Sequence, residues 1–204
     1  MKQKQSCLPV AAIVLAAGSA SRMGTAKQLL RFRGATLIQN AIGQARDAGF
    51  GPIMVVVGAY SAEVRASIAV LDVEIVENEY WKRGMGSSLS AGIKALQEAG
   101  SEASAAAVLL PDQPLVTASH LAAMRDLLLS TRAGVVAARY DETLGVPAIF
   151  RRNLFALLAN LPPESGARQL LRSSEIEVAG FDLPEAATDI DTPEDFDALR
   201  HGLA

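Results

Sequence analysis

Short apolar runs alternate along this chain with segments of helical period, and that alternation limits the folds open to it. The runs fall at Val10–Ala16, Ile53–Val57, 73–76, 106–110 and 135–138. Each is too short for a typical helix and mostly lacks polar alternation, as expected for strands covered on both faces. Between them, Leu37, Ala41 and Ala45 share one face of a segment ending near Gly49. Leu89, Ile93 and Leu96 do the same after Ser87, and Leu121, Met124 and Leu128 stripe a third segment. Steps of three and four residues match the helical repeat. Strand and helix in alternation imply right-handed parallel crossovers, so the expected class is α/β: an open, doubly wound, mostly parallel, Rossmann-like sheet with helices on both faces.

At 204 residues, one domain spanning 1–204 is the expectation. The rhythm weakens after about Asp141, where Gly145, Pro147, Pro162, Pro163 and Gly166 interrupt it; a hairpin or a lid over the cleft is expected there. Thr192-Pro193-Glu194-Asp195 has the chemistry of a helix start, with a hydroxyl cap, Pro at the first position and acids at the positive end of the dipole. With 19 Lys and Arg against 22 Asp and Glu, the net charge is -3, which argues against a protein that wraps nucleic acid. The apolar N-terminal run is far short of the roughly 20 residues of a membrane helix and is rich in β-formers, so it reads as a strand rather than a signal peptide. The single cysteine, Cys7, forms no internal disulfide, and two histidines leave little for a zinc site. A soluble cytoplasmic protein is the expectation.

In such sheets ligands bind beyond the carboxyl ends of the strands, so the loops after strands carry the search. The first, residues 15–27, holds Gly18, Gly24, Arg22 and Lys27 among small and hydroxyl residues. Glycines let backbone N–H groups approach a phosphate and the cations neutralise it. Its spacing meets neither the dinucleotide fingerprint nor the Walker loop, so a polar turn with solvated cations stays open beside a phosphate site. The second loop, 78–89, places Gly84, Gly86, Ser87 and Ser88 at a helix start, either as an ordinary Ser cap or as a seat for base edges and ribose oxygens. Asn78 is a further base contact to consider, Trp81 is a stacking ring or a core anchor, and Lys82 and Arg83 read as a solvated pair. In the third loop Asp112 ends a buried run between Pro111 and Pro114. It is a turn former or a ligand for a divalent cation, which takes one or two carboxylates with phosphate oxygens and water. His120 and His201 read as capping or solvent-exposed groups.

Leu-Ala-Ala-Gly-x-Ala-Ser-Arg-Met-Gly-x-x-Lys at 15–27 resembles the signature of the nucleotidyltransferases grouped with the molybdenum-cofactor enzymes. Gly84-Met85-Gly86-Ser87-Ser88-Leu89, Asp112-Gln113-Pro114, Gly166-Ala167-Arg168 and Asp189-Ile190-Asp191-Thr192-Pro193-Glu194-Asp195 follow in that family's order, and the pattern is most similar to its cytidylyltransferases. The resemblance implies a fold of the nucleotide-diphospho-sugar transferase type, with a nucleotide half over about 8–115 and an acceptor half over about 116–204. It implies that Arg22, Lys27 and Asp112 are catalytic. It implies that Leu15, Ala16, Ala17, Gly18, Arg22, Gly24, Lys27, Asn78, Gly84, Met85, Gly86, Ser87 and Ser88 bind the nucleotide. Asp112 and Asp191 would hold Mg2+, or Mn2+ in its place, with Asp189 in reserve. Gln113, Pro114, Gly145, Pro147, Gly166 and Arg168 would meet the acceptor.

The implied reaction moves CMP from CTP onto the terminal phosphate of molybdenum-molybdopterin and releases pyrophosphate. A xanthine-dehydrogenase-type molybdoenzyme is the implied recipient, and no nucleic acid or membrane takes part. Ala17 stands where guanylyl relatives carry glycine, and its methyl narrows the base pocket toward a pyrimidine. A phosphomonoester acceptor, with a second pKa of about 6, is largely dianionic at neutral pH and needs no catalytic Ser or His. The work is alignment and charge neutralisation. The alternatives are a related transferase using GTP or a sugar or alditol phosphate, and a non-catalytic chaperone that delivers the cofactor. Pro163-Glu164, where the family carries Gly-Asp, and Val146, where a polar residue is common, depart from the pattern in the acceptor half.

Overall fold

The computed structural model describes residues 8–19 and 23–202; Cys7 and Arg22 lie outside them. The chain begins with strand β1 (Val10–Ala16), followed by a small hairpin of β2 (Arg31–Phe32) and β3 (Ala35–Thr36), then helix α1 (Leu37–Asp47). Next come β4 (Ile53–Val57), α2 (Ser61–Ile68), β5 (Glu74–Glu77), α3 (Met85–Glu98), β6 (Ala105–Leu109) and α4 (Ala118–Ser130). The remainder is β7 (Val135–Tyr140), β8 (Thr143–Arg151), α5 (Phe155–Ala159), α6 (Ala167–Leu171), β9 (Val178–Asp182) and α7 (Pro193–Gly202). Among the described residues the main sheet has seven strands in the order β5-β4-β1-β6-β8-β7-β9. All run parallel except β8, which pairs antiparallel with both β6 and β7.

β1 is buried along its whole length, because helices cover both of its faces. Val10, Ala12 and Val14 pack with Ile38 and Ile42 of α1, Val64 of α2 and Leu121 of α4. Ala11, Ile13 and Leu15 point the other way, toward Leu89 and Ile93 of α3, Phe155 of α5 and Leu171 of α6. This is the doubly wound arrangement that the apolar runs imply. The chain leaves β1 for β4 on one side and later returns to β6 on the other. The switch point between β1 and β6 therefore opens a crevice at their carboxyl ends.

The irregular stretch after Asp141 forms a hairpin built into the main sheet rather than a lid. Its proline is accommodated by a register shift: Ala137 pairs with Ala148, while Ala138 pairs with Gly145. Val146 and Pro147 fall in the bulge between those pairs, where the ladder asks no N–H of Pro147. The helix start at 192–195 forms as its residues dictate. The Asp195 carboxylate accepts from the backbone N–H of Asp191 at 3.1 Å and of Thr192 at 2.8 Å, and Thr192 Oγ1 accepts from Asp195 N–H at 3.2 Å.

Candidate active site

A cavity of about 360 Å³ opens at the switch point, within the size range of small-molecule sites. Leu15, Ala17, Gly18 and Lys27 come to it from the first loop, Gly84, Met85 and Ser88 from the second, and Asp112 from the third. Residues far apart in sequence thus converge as the motifs predict. A Cβ added at Gly18 would meet nothing within 4 Å. Packing does not require glycine there, and the open space beside it leaves room for a ligand to approach the backbone. Ala16 is buried in β1 and offers its carbonyl rather than a cavity surface. Gly24 stands in a turn at φ +66°, apart from the cavity wall.

Lys27 opens a short helical turn, Lys27–Leu29, which carries its side chain across the crevice. Its ammonium donates to Asp112 Oδ2 at 2.6 Å and to Asp191 Oδ1 at 2.8 Å. Burial alone would lower the Lys27 pKa, but Asp112 and then Asp191 outweigh it and hold the ammonium above the usual lysine range. Asp189 shows the opposite pressure. Burial, then the charges of Asp191 and Asp112, raise its carboxyl above the ordinary carboxylate range. Asp189 to Asp191 reach this place because the Ile190 N–H donates to the Asp112 carbonyl at 3.0 Å and the Ile190 side chain is fully buried.

These acids suit a hard divalent cation. Asp112 Oδ1 is buried without a hydrogen-bond partner, an arrangement that is costly unless something positive or donating reaches it. Both carboxylates already contact one cationic nitrogen, so a single cation can bridge them. Among the described residues no group of three or more His, Cys, Asp or Glu forms a metal-binding cluster. A carboxylate pair is nevertheless what a cation shared with phosphate oxygens requires.

The second loop owes its glycines to packing. Gly84 lies at φ +120°, and a Cβ there would come within 2.7 Å of the Pro163 carbonyl oxygen. At Gly86 a Cβ would lie 2.2 Å from the Ser165 carbonyl and 2.3 Å from that of Pro162. Ser87 N–H donates to the Pro163 carbonyl at 3.2 Å. The Pro163-Glu164 departure therefore falls on a segment that supports the second loop.

Asn78 is buried and its amide is in use. Its Nδ2 donates to Ser87 Oγ at 2.9 Å and Ser88 Oγ at 3.0 Å, while Oδ1 accepts from Tyr80 N–H at 3.0 Å. Ser88 faces the cavity, whereas Asn78 and Ser87 line a separate cleft with Tyr80, Arg83 and Lys94.

The acceptor candidates do not form one surface. Pro114, Pro147 and Gln113 border a small hollow beside α1 and α4. Gly145 packs under the Tyr140 ring, Gly166 lies against Met85, and Arg168 is exposed on α6. His120 serves in the α4 cap, as its position predicts.

Gln28 carries no sequence motif, and Trp81, read as a stacking ring or a core anchor, sits between those two roles. Gln28, 4% exposed, donates from Nε2 to the Ala16 carbonyl at 3.1 Å and the Gly18 carbonyl at 2.9 Å, fixing the turn out of β1. Trp81 forms part of the cavity wall, half-buried against the core beside Gly58. Glutamine beside a functional lysine is a signal only once the fold shows which carbonyls it meets.

Residues 12–178 match the model of the MobA-like NTP transferase domain. The chain is 32% identical to a nicotine blue oxidoreductase of Paenarthrobacter nicotinovorans, over 91% of this chain and 93% of that protein. It is 35% identical to a probable molybdenum cofactor guanylyltransferase of Opitutus terrae, over 62% of this chain and 59% of that protein. Among solved structures, Rv0371c of Mycobacterium tuberculosis superposes with a TM-score of 0.81 at 27% identity, over 96% of this chain and 100% of that one. The same protein has a structure in complex with manganese, matched with a TM-score of 0.76 at 29% identity, over 94% and 97% of the chains. With a family match across most of its length and a site assembled from the family's loops, this chain belongs to the MobA-like NTP transferases.

Proposed function

We propose that this nucleotidyltransferase moves CMP from CTP onto the terminal phosphate of molybdenum-molybdopterin, with Mg2+ or Mn2+ held by Asp112 and Asp191 and with pyrophosphate as the leaving product. The observation that carries the proposal is the Lys27 ammonium set between those two carboxylates beside the cavity. Gly18 and the first-loop backbone receive the triphosphate, and Ala17 and Ser88 border the base. Trp81 supplies an aromatic wall. Lys27 turns to the α-phosphate, and Arg22 of the same loop is assigned to the departing pyrophosphate. When bound, the divalent cation supplies charge neutralisation at the triphosphate. The acceptor phosphate, already dianionic, attacks the α-phosphorus as the bond to the pyrophosphate oxygen breaks, so no residue need remove a proton.

The Ala17 methyl at the cavity floor supports a pyrimidine. The manganese complex of a relative supports a divalent cation, and the molybdenum-cofactor relative supports the acceptor class. Among the described residues no helix is long and apolar enough to cross a membrane; we assign the work to the cytoplasm, with a xanthine-dehydrogenase-type enzyme receiving the product. The test is divalent-cation-dependent pyrophosphate release with each of the four nucleoside triphosphates, with and without molybdenum cofactor. CTP-selective, cofactor-dependent release is expected. Preference for GTP overturns the base assignment, and release driven by a sugar or alditol phosphate overturns the acceptor. Nucleotide binding without release points to a delivery chaperone. The relative named an oxidoreductase favours a second reading, a redox enzyme on this fold, which oxidation of a reduced nicotinamide without pyrophosphate release would support.

A further inference from the structure

Gln113 follows Asp112 directly, yet its side chain points into the protein, with 7% of the residue exposed. Its Nε2 donates to the Val146 carbonyl at 2.9 Å and to the Ala186 carbonyl at 2.8 Å. Ala186 belongs to the turn that leads into the 189–191 acids. On the other side of those acids' approach, Ile190 N–H reaches the Asp112 carbonyl at 3.0 Å. Residues 112 and 113 therefore grip the segment carrying Asp191 at two points. The same amide also holds the bulge of β8.

We infer that Gln113 is a positioning residue for the divalent cation: its amide fixes the Ala186 turn and so sets Asp191 at bridging distance from Asp112. This rests on the reading of Asp112 and Asp191 as the cation ligands. The amide's Oε1 has no partner and is buried, so the side chain is oriented by its donor end alone. Replacement by a residue of similar shape removes both donated bonds and leaves the Val146 and Ala186 carbonyls without that donor, which costs stability even though the unsatisfied Oε1 goes with it. Partners that orient metal ligands commonly govern affinity by tenfold to a hundredfold.

The test titrates Mn2+ alone, without nucleotide, into the full chain and into Gln113→Met, Gln113→Asn and Asp112→Asn, following bound metal by electron paramagnetic resonance and folding by thermal melting. Gln113→Met is expected to melt below the parent while still folding at the assay temperature, and to bind Mn2+ about tenfold or more weakly. Gln113→Asn, with its amide withdrawn by one methylene, shifts affinity in the same direction and covers the case in which the Met variant does not fold. Asp112→Asn abolishes the site. Unchanged Mn2+ affinity in both Gln113 variants, with Asp112→Asn defective, overturns the positioning role and leaves the metal reading intact. Unchanged affinity in Asp112→Asn overturns the metal reading and this role with it. A raised acceptor KM at saturating metal with normal Mn2+ affinity makes Gln113 an acceptor contact instead.

Discussion

The Lys27 ammonium lies 2.6 Å from Asp112 and 2.8 Å from Asp191, so its side chain occupies the position between the two acids proposed to hold the divalent cation. Lys27→Met removes that competitor. Mn2+ affinity measured without nucleotide is expected to rise by about tenfold, equivalent to about 1.4 kcal/mol, since charges at this range interact by roughly 1–4 kcal/mol at a well-screened site. Turnover is expected to fall on the order of a thousandfold, as for other cations at a transferring phosphate. Opposite movement of affinity and rate is the signature; weaker Mn2+ binding would mean that Lys27 organises the acids rather than competing with the metal.

Asp189 gives a pH-dependent prediction. Its pKa is raised in the folded protein by burial and by Asp191 and Asp112, so folding favours its neutral form. The resulting cost to stability is absent below the ordinary carboxylate range, grows as pH rises through that value, and is complete above the raised one. Without added metal, Asp189→Asn should therefore melt higher than the parent at about pH 7 and show no gain at about pH 3. An equal gain at both pH values would remove the electrostatic explanation.

Gly18→Ala and Gly86→Ala separate ligand space from packing space. The first places a methyl where nothing lies within 4 Å, the second within 2.2 Å of a carbonyl oxygen. Gly18→Ala should keep its melting temperature and weaken nucleotide binding. Gly86→Ala should lose about 1–3 kcal/mol of stability, the usual cost of overpacking, read by urea unfolding. A destabilised Gly18→Ala with intact binding would reverse the assignment.

Trp81 is the only tryptophan of the chain and borders the cavity. Its emission should change saturably on titration with CTP plus Mg2+, and the change should disappear in Trp81→Phe. A spectrum indifferent to every nucleoside triphosphate would mean that the ligand stays clear of this wall.

Much of this architecture is legible in local pattern. Leu121, Met124 and Leu128 are all fully buried, and the runs at Val10–Ala16 and Ile53–Val57 are strands to the residue. In α1 the stripe is rotated: Ile38 and Ile42 are buried where Ala41 is only half so, because the larger side chains take the core. Helix α2 leaves a weak trace, with only Val64 and Ile68 buried in eight residues. β8 is obscured by Gly145 and Pro147, whose place in a central strand depends on a bulge set by β7.

The site divides in the same way. Lys27, Asp112 and Asp191 meet as their motifs imply: Lys27 and Asp112 lie in loops that follow strands the apolar runs reveal, and Asp191 lies just before a helix whose cap residues mark its start. Asn78 does not: nothing in its neighbourhood of sequence says that its amide is consumed by Ser87, Ser88 and Tyr80. The glycines of the second loop are likewise visible as a motif, but the reason for them lies in carbonyls of residues 162–165.

The bond from Ile190 to the Asp112 carbonyl has a consequence for synthesis. Asp191 precedes the last helix, so the carboxylate pair does not exist on a nascent chain until that late segment has emerged and docked against a loop made long before. Cation binding by the pair, as proposed, would therefore report that residues 189–191 have docked on the Asp112 loop, a contact that joins two parts of the chain made far apart in time.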